Sequence, residues 1–399
     1  MTRWGGALLL GAGVTAAASA FGSPALGLMG IGLLLAGAGT RAWVGLARTG
    51  ATVEFRALPS AATEGDSVRV SVVARRESRV PVGSAVVAGT LGGLGPLEVR
   101  LRGSGRAAGG QLDLGCVPRG VYRLGEARIV LGDFLGLVTV CPPVRLEADT
   151  LVVRPRLSRL DALFSDAGRF SGDGRRLLLR SAGFDFHSVR EYEQGESLRR
   201  VHWPTSARRG QLMVKELEDR TRDGVVVLLD CDPRGIAGKP PDSSFDASVR
   251  AAGSLLAAHA GRGRATALVT TGSARSALHV SDGDLDAALV VLAAVEPDAA
   301  APVARALAGG STSALRAGEL VVVTAMLDAQ TTAALLDAGQ RQLVSVVWVD
   351  APSYVGHPTR ANPNALRLAA AGVPVAAIRC GDDLAAALGS HRREAAVGG

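Results

Sequence analysis

The chain has 399 residues, of which 47% are hydrophobic and 20% charged, enough for two or three globular cores and outside the disordered class. Its net charge of +7 comes from 44 Lys and Arg against 37 Asp and Glu, interleaved so closely that nucleic acid is a disfavoured partner and a membrane surface a simpler one. Cys116, Cys141, Cys231 and Cys380 show no CxxC or other metal-ligand spacing, and they predict reduced, mostly buried thiols.

From Trp4 to Phe21 the chain is uncharged and rich in Leu, Ala and Gly, and a second such run extends from Ala25 to Thr40. Gly22, Ser23 and Pro24 form a turn between them. The spacing predicts a transmembrane hairpin over residues 1–48, each run close to the lower limit of about 17–20 residues for a span. Repeated small residues, among them Gly11, Gly30 and Gly37, permit close helix contact. Arg3, Arg41 and Arg48 flank the outer ends while the turn is uncharged. The positive-inside rule therefore places both termini and the soluble body of a two-pass cell-membrane protein in the cytoplasm.

Residues 49–155 switch to short runs rich in Val and Arg, broken by Gly and Pro. Period-two alternation marks Val53–Arg56, Ser67–Val73, Leu97–Leu101 and Ala127–Leu131 as half-buried strands. Their spacing predicts a small β-sandwich, immunoglobulin-like in architecture, that acts as a packing or interaction module.

Residues 156–222 carry the densest charge. Between Arg180 and Arg222 stand Asp185, His187, Arg190, Tyr192, Gly195, Glu196, Arg199, Arg200, His202, Trp203, Ser206, Ala207, Arg208, Arg209 and Lys215, in a protein only 4% aromatic. Each guanidinium wants a planar acceptor or a ring face, and each carboxylate wants donors. The two histidines lack metal-ligand spacing, and carboxylates among arginines stay ionised and paired. A charge-assisted knot is expected, with Asp185 and Glu196 as acceptors for Arg190, Arg199, Arg200 and Arg208 and with Trp203 as a packed ring. Ser206 or Thr205 is expected to cap a turn, and Gln211–Leu217 reads as an extended segment.

Residues 223–399 alternate strand and helix. Val225–Asp230, Thr266–Thr270, Leu320–Thr324, Val344–Asp350 and Pro374–Ile378 are apolar strand-like runs, Ala277–Val280 reads as an edge strand, and the segments between have helical composition. Fully apolar strands joined by helices predict a doubly wound, mainly parallel α/β sheet covered on both faces. Pro297–Gly318 reads as a looser connection. Ligands of such sheets sit at the carboxyl ends of the strands, which directs attention to Asp230, Asp232 and Asp350.

The central text Asp185-Phe186-His187-Ser188-Val189-Arg190-Glu191-Tyr192, Gly195-Glu196-Ser197-Leu198-Arg199-Arg200-Val201-His202-Trp203, Thr205-Ser206-Ala207-Arg208-Arg209-Gly210 and Leu212-Met213-Val214-Lys215-Glu216 resembles the signature of the domain-of-unknown-function 58 family. The resemblance extends to Arg119-Gly120-Val121-Tyr122 and Asp133-Phe134-Leu135-Gly136-Leu137. It implies a membrane hairpin, a β-sandwich, the signature and a von Willebrand factor A-like α/β domain. Family members typically occur beside MoxR-type AAA ATPases and transglutaminase-like membrane proteins, which implies an accessory or adaptor role. Asp230-Cys231-Asp232-Pro233-Arg234 stands where von Willebrand factor A domains carry an Asp-x-Ser-x-Ser metal site. Here Asp232 and Arg234 replace the two hydroxyl ligands, and a cation at Arg234 opposes a divalent ion. The expectation is a membrane-anchored cytoplasmic adaptor without a cofactor, engaging a MoxR-type ATPase and, as a further candidate, a transglutaminase-like membrane protein. The alternative is a metal-dependent hydrolase using Asp230, Asp232 and Asp350.

Overall fold

Two long apolar helices open the chain in the computed structural model, which describes residues 3–58, 61–78, 80–103, 106–148, 150–166, 186–191, 206–208, 210–211, 213–217, 224–272, 277–280, 285–299, 301–308, 318–358 and 361–389. The chain divides into two units, Met1–Arg154 and Pro155–Gly399.

In the first unit, α1 (Arg3–Phe21) and α2 (Pro24–Ala47) pack against each other through small residues. A Cβ on Gly11 would lie 3.1 Å from the backbone nitrogen of Leu34, and one on Gly30 would lie 2.7 Å from that of Thr15. Only glycine admits so close an approach. The Trp4 indole N–H donates to the Gly37 carbonyl at 2.9 Å, and the Arg41 guanidinium lies 5.5 Å from the Trp4 ring centroid. Trp4–Phe21 and Pro24–Ala47 are long and apolar enough to cross a membrane, which is consistent with membrane anchoring. The base of α2 and the residue pair beyond it are bonded to Ser78 and Pro81: Trp43 Nε1 donates to the Pro81 carbonyl at 2.7 Å, Ser78 Oγ donates to the Leu46 carbonyl at 3.3 Å, and the Ser78 N–H donates to Thr49 Oγ1 at 3.0 Å.

Among the described residues the first unit continues with β1 (Ala51–Leu58), β2 (Ala61–Thr63), β3 (Ser67–Arg76), β4 (Ser84–Leu91), β5 (Gly95–Arg100), β6 (Ala107–Cys116), β7 (Gly120–Tyr122), β8 (Arg128–Gly132), β9 (Thr139–Val140), β10 (Val144–Ala148) and β11 (Leu151–Arg154). They form sheets of order β10-β1-β3-β6, β5-β4-β8-β9 and β2-β11-β7. Period-two burial is clearest in β3, whose Val68, Val70, Val72 and Ala74 enter the core while the alternate positions do not. Phe55, Val87, Val99, Ile129, Leu131 and Leu151 complete that core from all three sheets.

In the second unit β12 (Phe186–Glu191) pairs antiparallel with β13 (Met213–Leu217). The main sheet comes next in the chain: β14 (Val225–Leu229), α3 (Ser244–Ala260), β15 (Thr266–Thr270), β16 (Ala277–Val280), α4 (Leu285–Ala294), α5 (Val303–Ala308), β17 (Glu319–Thr324), α6 (Ala329–Arg341), β18 (Leu343–Val349), α7 (Pro363–Ala370), β19 (Val375–Ile378) and α8 (Leu384–Leu388). Its strand order is β16-β15-β14-β17-β18-β19. All neighbours run parallel except β15 and β16. Alternate residues of β14 serve opposite cores. Val225, Val227 and Leu229 pack with residues of α3, α4 and α8, whereas Val226 and Leu228 pack with residues of α5, α6 and α7.

Local chemistry sets the helix starts. Ser243 and Asp246 make a reciprocal capping box at α3, with the Asp246 N–H donating to Ser243 Oγ at 3.1 Å and the Ser243 N–H donating to Asp246 Oδ2 at 3.3 Å. Asp328 caps α6 by accepting from the Thr331 N–H at 2.7 Å. The connection expected to be loose over Pro297–Gly318 contains α5, whose Val303, Ala304 and Leu307 are buried.

Candidate functional site

The chain leaves β14 for β15 on one side and returns to β17 on the other, so the order reverses between β14 and β17. The carboxyl ends of these two strands bound the crevice where sheets of this class bind ligands. Asp230 follows β14 directly and is 7% exposed. Its Oδ2 accepts from Thr324 Oγ1 at 2.7 Å, and its Oδ1 accepts from the Asp232 N–H at 3.1 Å and from Thr271 Oγ1 at 3.4 Å. Burial pushes the Asp230 carboxyl above the ordinary aspartate range, and the Thr324 hydroxyl opposes that shift.

Asp232 is taken by Arg234. The guanidinium donates from Nη2 to Oδ2 at 2.6 Å and from Nε to both oxygens at 3.1 Å, while the Arg234 N–H donates to Oδ1 at 2.9 Å. This partner holds the Asp232 carboxyl below its usual range. The same contacts cap the 3-10 turn Pro233–Gly235. Cys231 between them is fully buried, and burial raises its thiol to about 11, so it is not a poised nucleophile.

Asp350 follows β18 and is 3% exposed. Because β17 lies between β14 and β18, Asp350 stands two strand spacings, about 10 Å, from the Asp230 position along the sheet edge. The three aspartates therefore do not converge on one point. Among the described residues no group of three or more His, Cys, Asp or Glu is placed to hold a metal ion. Asp350 instead forms part of the wall of a cavity of about 650 Å³ whose lining includes Leu327, Trp348, Pro352, His357 and Pro363. Its Oδ2 is buried and has no hydrogen-bond donor among the described residues.

Of the expected signature residues, Asp185, Tyr192, Gly195, Glu196, Arg199, Arg200, His202 and Trp203 lie outside the described residues. Arg190 sits on β12, opposite Val214 of β13. Ser206, Ala207 and Arg208 form a helical turn in which Ser206 is buried and Ala207 and Arg208 are exposed. Ser206 Oγ accepts from the Met213 N–H at 2.8 Å and donates to the Met213 carbonyl at 3.4 Å, fastening the turn to the start of β13. Sequence reasoning missed the hydroxyls of Thr271 and Thr324 and the whole cavity. The only signal for the hydroxyls is a threonine closing or following a buried strand, as at Thr270-Thr271 and Thr324.

The second unit is thus an α/β sheet whose crevice holds internally bonded carboxylates. Residues 188–358 match the family described as "Protein of unknown function DUF58". The uncharacterized protein YeaD of Bacillus subtilis (strain 168) is 29% identical over 219 residues, 54% of this chain and 53% of that protein. The match therefore spans about half the length of that relative. Among solved structures, a CARDB domain from Pyrococcus furiosus in complex with di-metal ions is similar at 16% identity and a TM-score of 0.16, over 24% of this chain and 87% of that one. Cwp6 from Clostridium difficile is similar at 9% identity and a TM-score of 0.20, over 74% of this chain and 37% of that one. At such scores neither likeness bears on the fold.

Proposed function

We propose that the chain is a membrane-anchored cytoplasmic adaptor, with an immunoglobulin-like sandwich in its first unit and a von Willebrand factor A-like sheet in its second, that engages a protein partner of the MoxR-type AAA ATPase class. A transglutaminase-like membrane protein is the further candidate partner. The observation that supports it most is the state of the crevice. Asp230 and Asp232 are bonded to the chain's own Thr324, Thr271 and Arg234, which suits a preorganised rim and disfavours a metal-dependent hydrolase. The ladder between β12 and β13 brackets most of the Arg-rich stretch Asp185–Arg208, where Arg199 and Arg200 supply the cations of the interface, Trp203 its ring, and Asp185 and Glu196 its acceptors.

Affinity purification from gently solubilised host membranes, with and without ATP and magnesium, tests this reading. Nucleotide-dependent recovery of an AAA ATPase is expected, and Arg199→Ala with Arg200→Ala removes it while the protein stays in the membrane. Unaltered recovery by that double variant would remove the signature from the interface. Saturable binding of magnesium or manganese that disappears in Asp230→Ala would favour the hydrolase.

A further inference from the structure

We propose that the cavity at the carboxyl end of β18 binds a cationic nitrogen carried on an aliphatic stem, an alkylammonium or alkylguanidinium group, with Asp350 as its counter-ion. This site does not depend on the adaptor reading. It rests on three features of the second unit that point the same way.

The first is Asp350 itself. It is 3% exposed, it belongs to the cavity wall, and its buried Oδ2 receives no hydrogen bond from the described residues. Its backbone is fully engaged: the N–H donates to the Ile378 carbonyl at 2.8 Å, and its own carbonyl accepts from the Ser353 N–H at 3.1 Å and Ser353 Oγ at 2.6 Å. The backbone is therefore fixed, and Oδ2 is left without a donor among the described residues. A buried carboxylate oxygen without a hydrogen bond is unfavourable until a donor reaches it. Asp230, one strand spacing beyond β17 on the same sheet edge, shows the contrasting arrangement, with both oxygens bonded.

The second feature is the wall. Among the described residues no Lys or Arg lines the cavity, and His357 is the one other titratable side chain in its wall. Trp348, which immediately precedes the last residue of β18, also lines the cavity and carries the ring type that attracts cations most strongly. Leu327, Pro352 and Pro363 supply an apolar sleeve for the methylenes of a stem.

The third feature separates an organic cation from a divalent metal. A hard divalent ion needs about six oxygen ligands. Of the two amides in the wall, Asn362 Oδ1 accepts from the Asn364 N–H at 2.9 Å and Asn364 Nδ2 donates to the Leu327 carbonyl at 3.0 Å. One carboxylate beside an aromatic ring and prolines fits an organic cation.

The test uses the full chain in detergent micelles at neutral pH, with pentylammonium as probe and pentanol as its uncharged counterpart of the same length, followed by saturation-transfer NMR and calorimetry. Pentylammonium should bind saturably, be displaced by butylguanidinium, and exceed pentanol by about tenfold or more. Asp350→Asn, which keeps the side chain's shape, should weaken pentylammonium by about thirtyfold or more while leaving pentanol unchanged. Displacement by a capped Gly-Lys-Gly peptide would identify the natural occupant as a basic side chain, and failure of that peptide beside binding of the free amine would identify a small amine. Equal binding of pentanol and pentylammonium to the unaltered protein overturns the proposal without recourse to any variant. So does undiminished binding by a folded Asp350→Asn protein.

Discussion

Replacing Thr324 by Val isolates the contribution of one hydroxyl to the crevice. Thr324 is fully buried, donates to Asp230 Oδ2 at 2.7 Å and accepts from the Met326 N–H at 2.9 Å. Valine preserves the shape and removes both bonds. A hydrogen bond to a charged group contributes about 1.5–3 kcal/mol, and the bonds remaining to Asp230, at 3.1 and 3.4 Å, are longer. A loss of about 2 kcal/mol is expected for Thr324→Val, which for a unit of this size lowers its thermal midpoint by roughly 4–8 °C. Thr324→Ser, which keeps the hydroxyl, should lose far less. The deficit also depends on pH. Asp230 titrates above the ordinary aspartate range because it is buried, so its contribution to stability is complete below the unfolded value and declines as pH rises through the higher native one. The Thr324 hydroxyl limits that decline by favouring the ionised form. The gap between the Val and Ser variants should therefore open as the pH is raised from the acid side of the aspartate range towards neutrality. Thermal unfolding of the two variants across that range measures it. Equal midpoints at neutral pH, or a gap that closes as pH rises, would refute the reasoning.

Gly30→Val should separate the paired helices, because a Cβ there meets Thr15, and overpacking costs about 1–3 kcal/mol. Gly13→Val, with nothing within 4 Å, should leave stability in the same micelle unchanged, and hydrogen exchange of the helix amides distinguishes the two. Arg264 Nη1 meets the buried Glu319 carboxylate at 2.6 Å. Arg264→Met alone should cost about 3–5 kcal/mol by removing the cation beside that buried carboxylate, while Arg264→Met with Glu319→Met recovers most of the loss in a double-mutant unfolding cycle. Maleimide at neutral pH should label Cys116, Cys141 and Cys380, which are exposed, and reach buried Cys231 only after unfolding. Mass spectrometry of the labelled protein counts the thiols, and native labelling of Cys231 would contradict its burial.

The strands of the main sheet were legible because a strand buried on both faces has no polar positions to blur it. Thr266–Thr270 is observed with the same limits as read, and Ala277–Val280 is an edge strand as read, running antiparallel to β15. The first unit was less legible. β3 announces itself through Val68, Val70 and Val72, but β6 carries Ala107, Ala108, Gly109 and Gly110, whose small side chains give no alternation to detect. β12 was hidden because Phe186–Glu191 mixes His, Ser, Arg and Glu, and only its ladder with β13 makes it a strand. The thiols also differ from expectation: Cys116, Cys141 and Cys380 are exposed, and only Cys231, enclosed by the strands at the crevice, is buried. Strand-end aspartates could be found by position alone. Asp232 takes its partner Arg234 from two residues away, whereas the bond from Thr324 to Asp230 comes from a distant part of the chain and no local pattern encodes it.

Only Arg48, Thr49 and Gly50 separate α2 from β1; Ser78 is bonded to Leu46 of α2 and to Thr49 of the junction, the Glu77 N–H donates to the Gly50 carbonyl, and Trp43 reaches Pro81. The junction is a bracket and not a tether. A twist applied to the helix pair is handed to the β1–β3 ladder as torque, with no slack segment to absorb it. The strands of the first unit consequently share the tumbling and the tilt of the two helices, so a single orientation, set by whatever grips the hairpin, governs which of their edges faces outward.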